Sequence, residues 1–264
     1  MEKIKTNNFS VYWMLSDIYE MTKRSILHMV RNLDQLLSVS IFPIMFMLLF
    51  RYVFGGAIDT GDTSYVNFLV AGILVQTLAF GANYTTINLA VDLKEGIIDR
   101  FKTLPMSSSA LLIGHIFSDL VRNALSAVIM LGVGFLVGFR PDASFYEWIL
   151  IIILATLFSL AISWLSAIMG LLVKSIEAAQ WVGFIIIFPL TIASSAFVPT
   201  STMPPLLRTF AENQPVTQVI NAMRSWLVGT TMGNSDRLAF IWCILIIVIC
   251  LPIATYMFNR RGKV

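Results

Sequence analysis

Charge, histidine and cysteine are all scarce in this chain. Only 12% of its 264 residues are Asp, Glu, Lys or Arg, and there are two histidines and two cysteines. His28 and His115 have no spacing that would hold a metal, so metal-assisted chemistry lacks a ligand set. Cys243 and Cys250 stand seven apart in one apolar run, on one helix face but about 10 Å apart along the axis. That separation excludes a disulfide between them, and they read as small buried hydrophobes. No Gly-x-x-x-x-Gly-Lys-Ser/Thr run occurs, so nothing here cradles nucleotide phosphates, and any use of ATP requires another polypeptide. No nucleophile stands beside an apparent base and no pair of carboxylates falls within an apolar run, which leaves no case for an enzyme. A net charge of +3 is too weak to imply nucleic acid.

Apolar residues are abundant: 57% of the chain is AVILMFWYC and the mean hydropathy is +0.80. A soluble domain of this size is far less apolar, so the chain belongs in a bilayer. Crossing the hydrocarbon takes about 20 mostly apolar residues. Long uncharged runs predict an all-α membrane protein with spans near 36–54, 66–90, 110–138, 149–173, 178–198 and 238–258. The first run follows some thirty charged and polar residues and lacks a small-residue cleavage site, so it is expected to remain as a span. With six spans both termini share a side. That side holds Lys3, Lys5, Lys23, Lys94, Lys102, Lys174, Lys263, Arg24, Arg31, Arg100, Arg260 and Arg261, twelve of the eighteen basic residues. Opposite lie Arg51, Arg140, Arg208, Arg224 and Arg237. The bias predicts cytoplasmic termini.

Residues 1–35 are expected to form an amphipathic interface helix ahead of a single six-helix transmembrane domain at 36–264. Asp17, Glu20, Arg24, His28, Arg31 and Asp34 recur along one face, while Val11, Leu15, Ile18, Ile26, Met29 and Leu33 occupy the other. Between the second and third spans lies the charged segment 92–107, from Asp92 to Ser107. Ile97, Ile98, Phe101 and Leu104 supply an apolar side, Lys94, Glu95, Asp99 and Arg100 supply charge, and Pro105 ends the turn. Within the third span His115, Asp119 and Arg122 share a face. Asp119 and Arg122, three apart, are expected to neutralise each other. Gly134 and Gly138 form a small-xxx-small pair that permits close helix contact. Outside, the segment from Pro199 to Gly229 is apolar but broken by Pro204, Pro205 and Pro215. Arg208, Glu212 and Arg224 are available there to satisfy freed carbonyls or one another.

These features together resemble the type 2 ATP-binding-cassette exporter permeases, which include daunorubicin-type drug exporters and O-antigen or teichoic-acid exporters. Glu95-Gly96 followed by Leu104-Pro105-Met106-Ser107 is similar to the family's Glu-Gly, helical stretch, Pro and hydroxyl pattern. Met203–Thr217, then Ile220-Asn-Ala-Met-Arg224 and Gly229, is similar to its late signature, except that Gln214 separates Asn213 from Pro215. The resemblance covers essentially the whole chain. It implies that 92–107 is a coupling helix seated on an ATPase, with Lys94, Glu95, Gly96, Asp99, Arg100 and Pro105 making the contact. The amino-terminal helix (Asp17, Glu20, Arg24, Arg31) would pack beside it, and the Lys174–Glu177 turn would be a second contact. Two re-entrant outer helices would carry a gate at Pro204, Arg208, Glu212, Pro215 and Arg224.

The implied partners are two copies of an ABC ATPase, a second permease copy (homodimer or heterodimer) and membrane lipid. ATP and Mg would sit on the ATPase, with no cofactor or metal on this chain. The implied setting is a bacterial or archaeal plasma membrane. A drug or lipid-like substrate is expected, with lipid-linked polysaccharide or teichoic acid as the alternative. Phe42, Phe46, Phe50, Phe80, Tyr84, Trp181, Phe184 and Phe188 are available to face an interface. A secondary transporter fits poorly: it needs ionisable groups at the midplane, and only Asp119 and Arg122 qualify, near one end of their span.

Overall fold

The computed structural model describes residues 19–20, 22–23, 27, 33–58, 64–97, 108–230 and 233–260. Among these residues every regular element is helical, as lipid demands of a chain whose backbone groups must be satisfied within the segment. Asp17, Arg24, Arg31, Asp99, Arg100 and Pro105 lie outside the described residues. Glu20 is described, helical and exposed.

Among the described residues from Leu33 onward, eight α-helices follow in order. Helix α1 (Leu33–Leu49) runs on into a wider π-helical turn, Phe50–Phe54. Then come α2 (Tyr65–Lys94), α3 (Ser108–Val137), α4 (Phe145–Leu172) and α5 (Ile176–Ile192). A 3-10 turn at Thr200–Thr202 precedes two short helices, α6 (Pro205–Asn213) and α7 (Pro215–Val228), and α8 (Ser235–Arg260) closes the series. Helices α2, α3, α4 and α8 are long and apolar enough to cross a membrane; the apolar stretch of α1 (Ser40–Phe54) and α5 are shorter.

Local chemistry sets the ends. Ser64 caps α2 through the Asn67 amide, Ser144 and Glu147 form a reciprocal capping box on α4, and Ser175 caps α5 through the Ala178 amide, each satisfying an orphan donor of a first turn. Helix α2 extends past the expected residue 90 to Lys94. Gly96, at φ +66°, then turns the chain, a left-handed conformation that glycine adopts at no Cβ cost. The expected pairing of Gly134 with Gly138 divides into two roles. A methyl at Gly134 would touch Met47 Cε at 3.4 Å, whereas Gly138, at φ +105°, has open space around it and ends α3. The expected fifth span, 178–198, is cut short at Ile192. The Gln214 side-chain amide donates to Leu190 O at 3.0 Å and to Ala193 O, so those carbonyls are satisfied without further helix.

Helix α2 is the hub, contacting α1, α3, α4, α5 and α7, while α8 packs on α4 and α7. Its most apolar stretch is 89% buried, against 22% for α8. Lipid tails are as apolar as leucine, so packing density and polar contacts hold such helices together. Small residues permit the approach. A methyl at Gly170 would meet Thr86 O at 2.9 Å, and the Oδ1 atoms of Asn123 and Asn83 fill the notches left by Gly81 and Gly183.

Candidate functional site

One face of the hub opens into a cleft of about 200 Å³, lined by Phe42 and Pro43 of α1, Phe80, Asn83, Tyr84 and Ile87 of α2, and Phe184 of α5. Of the rings named above, Phe42, Phe80, Tyr84 and Phe184 line it, and Phe46, Phe50, Trp181 and Phe188 extend from them through ring contacts. On α1 the i,i+4 series Phe42, Phe46 and Phe50 has centroid spacings of 4.6 and 5.9 Å. Phe42 meets Phe80 edge-on at 5.5 Å, and Phe80 lies 6.0 Å from Phe184. On α5 Phe184 stacks on Phe188 at 4.8 Å and meets Trp181 edge-on at 6.2 Å. Such offset and edge geometries suit the aromatic quadrupole. Two members were not singled out from sequence: Phe197, stacked on Phe50 at 4.4 Å, and Asn83, whose buried Oδ1 accepts no hydrogen bond among the described residues.

At the membrane-buried charges, Arg122 Nη2 donates to Asp119 Oδ1 and Thr85 Oγ1 donates to Asp119 Oδ2. The guanidinium also lies over the Tyr84 ring, 4.7 Å from its centroid. Both charged residues are at most 1% exposed. His115 makes its direct contact elsewhere. Its Nε2 lies 2.8 Å from Asp92 Oδ2 across α2 and α3, with both side chains nearly buried. Asp92, read from sequence as part of a charged loop, is therefore an interior residue on the last turn of α2.

Just beyond it, Lys94 and Glu95 are exposed. Glu95 N–H returns to Val91 O at 2.9 Å and Gly96 N–H to Leu93 O at 3.3 Å, closing the helix before the joining segment. Glu177, at the start of α5, lies within electrostatic reach of Lys94. The Lys174–Glu177 turn thus sits beside the end of α2.

At the opposite end, Pro204 precedes α6 and Pro215 opens α7, positions where a missing N–H costs nothing. Arg208 Nε donates to Glu212 Oε1 at 2.7 Å, and this bond holds the exposed Glu212 carboxyl below its ordinary range. Arg224 is different, being 1% exposed. Its Nε donates to Phe68 O at 3.1 Å, Nη2 to Ser195 O at 2.7 Å and Nη1 to Asn221 Oδ1 at 3.2 Å. The plane lies 3.6 Å from the Phe68 ring centroid. One side chain thereby ties α7, the start of α2 and the bend after α5. Gly72, against the backbone of Ala196, brings the same elements together.

Residues 16–228 match the ABC-2 type transporter family. The chain belongs to the ABC-2 type transporter family. Among its relatives is the daunorubicin resistance ABC transporter permease protein DrrB1 of Streptomyces coeruleorubidus, 30% identical over 196 residues, 74% of this chain and 69% of that one. The probable doxorubicin resistance ABC transporter permease protein DrrC of Mycobacterium tuberculosis is 25% identical over 242 residues, 88% and 85% of the two chains. A putative transport permease, ycf38 of Cyanophora paradoxa, is 24% identical over 244 residues, 86% and 82% of the two chains.

Membership makes this chain a multi-pass membrane permease of the ABC-2 type, a transport subunit whose family implies an ABC ATPase partner. In an ABC-2 permease the one departure noted in the late signature has a physical role: Gln214, between Asn213 and Pro215, supplies the amide that caps α5. The residues that sequence reading missed are those whose partners lie far along the chain. Asp92 and His115 are 23 residues apart, and Phe197 reaches Phe50 across most of the fold.

Proposed function

We propose that this ABC-2 permease exports an amphiphilic drug or lipid-like molecule, working as a dimer driven by two copies of a separate ABC ATPase that binds the ATP and Mg. The aromatic cleft carries the reading. Rings on α1, α2 and α5 offer flat apolar walls, and Asn83 adds the one amide of the lining, the pairing that orients a flat amphiphile. Two relatives named for daunorubicin and doxorubicin resistance support the same substrate class. The cleft lies between α1 and α5, whose outer faces expose Ile41, Met45, Leu48 and Tyr52 on one side and Trp181 and Ile185 on the other. A second copy of the chain, identical in the simplest case, closes over that surface.

In this reading α1 to α5 and α8 make six crossings. Helix α1 with its π turn, Leu33–Phe54, measures about 33 Å at 1.5 Å per residue, enough for the hydrocarbon. Both termini are cytoplasmic, in a bacterial or archaeal plasma membrane, with residues 1–35 along the inner interface. Residues 92–107 couple to the ATPase through Lys94, Glu95, Gly96, Asp99, Arg100 and Pro105. Outside, α6 and α7 re-enter the membrane surface and form the exit gate, with Arg224 as its anchor. Closure of the ATPase pair on ATP tilts the spans and opens the dimer outward.

The test is ATPase turnover of the purified permease–ATPase complex in lipid vesicles, titrated with daunorubicin and separately with a lipid-linked glycan. Stimulation by daunorubicin, lost in Phe80→Ala and Phe184→Ala, supports the proposal. Stimulation by the glycan alone transfers the protein to polysaccharide export, and failure of an ATPase to co-purify removes the coupling.

A further inference from the structure

The contact between Asp92 and His115 has no part in the cleft and none in the outer gate. It joins the inner end of α2 to the inner part of α3, at 2.8 Å. Seven residues back on α2, Thr85 donates to Asp119, four residues forward on α3, whose other carboxylate oxygen is held by Arg122 of the same helix. The two helices are therefore tied at two heights, about 6 to 10 Å apart along their axes. A single tie permits twisting about itself, whereas two ties fix relative orientation. On the other side of the clasp stands Gly96, with φ +66° and open space around its Cα, where an unsupported chain bends most easily.

We propose that Asp92 and His115 form a permanent clasp that makes α2 and α3 one lever. A push on the joining segment then moves both helices together instead of being absorbed by splaying them apart at Gly96. The pair positions the coupling machinery and touches neither substrate nor nucleotide. The inference rests on the reading of residues 92–107 as the ATPase-coupling segment.

The experiment compares daunorubicin transported per ATP hydrolysed by the complex in vesicles. Asp92→Ala and His115→Ala are expected to assemble with the ATPase yet lose tenfold or more of this ratio, and the exchanged pair Asp92→His with His115→Asp is expected to recover most of it. Asp92→Cys with His115→Cys, in a chain whose buried Cys243 and Cys250 are alanine, is expected to be uncoupled as thiols and coupled after bridging by a short bifunctional thiol reagent. This last variant decides the matter even where a single variant fails to assemble. Bridging that blocks transport shows that the pair must open, and overturns the lever. Glu95→Arg separates the two readings: if it uncouples while Asp92→Ala and His115→Ala transport normally, the clasp is wrong and the coupling segment stands. If Glu95→Arg itself transports normally, the coupling segment is wrong.

Discussion

Two arginines are buried to the same degree and solvated by opposite means. Arg122 meets a carboxylate, Asp119, and lies over Tyr84. Arg224 meets two main-chain carbonyls and an asparagine oxygen, and stacks on Phe68. The first arrangement cancels charge between neighbours on one helix turn. The second leaves the guanidinium's formal charge in place and disperses it over dipoles from three separate elements. A charge pair on one helix makes its own environment and fastens that helix locally; a cation held by distant carbonyls exists only while those elements stay assembled. The contrast suits a fixed interior at the α2–α3 end and a separable junction at the α7 end.

The largest effect should come from breaking the first arrangement on one side. Arg122→Ala strands the Asp119 carboxylate, and Asp119→Asn strands the guanidinium; each is expected to cost about 3–5 kcal/mol, read as a fall in the thermal unfolding midpoint in lipid nanodiscs. Arg224→Met should cost less, about 1–3 kcal/mol, because neutral carbonyls and not a charge lose their donors. It should also raise hydrogen exchange at the start of α7. Removing both partners of the first pair, Asp119→Leu with Arg122→Met, should return stability to within about 1 kcal/mol of the parent. A double variant as unstable as either single one would show that the pair contributes more than mutual neutralisation.

The smallest effect belongs to the exposed pair on α6. Arg208 keeps the folded-state carboxyl of Glu212 below its ordinary range, so its contribution is present above the unfolded carboxylate pKa and is lost as pH falls through the lower folded value. Protection factors of the α6 amides, referred to the intrinsic exchange rate at each pH, should fall as acid titrates that group. Arg208→Ala should remove this pH dependence without a measurable change in the unfolding midpoint.

The apolar runs announced the long helices, and the ring-bearing positions on α1, α2 and α5 were visible as candidates before any fold. Spacing also paired Asp119 with Arg122, because both partners sit one turn apart. Periodicity reports which side of a helix is polar and is silent about which neighbour answers it. His115 was therefore grouped with Asp119, on its own face, while its contact is Asp92 on α2. The end of α5 was misplaced for a related reason: the run stays uncharged through Val198, and the amide that stops the helix belongs to Gln214, more than twenty residues after Ile192. Asn83 was hidden among the other amides of α2, Asn67, Gln76 and Asn88.

The near-complete burial of α2 bears on biogenesis. A helix carrying Gln76, Asn83, Thr85, Thr86 and Asp92 on buried faces is poorly suited to rest in lipid alone, since each unanswered polar group there is costly. As the chain leaves the ribosome, α2 emerges before α3 and α4, the helices that answer it. It must wait inside or beside the insertion machinery until they arrive, so nascent chains cut after residue 97 should stay associated with the translocon, and chains extended through α4 should be released into the bilayer.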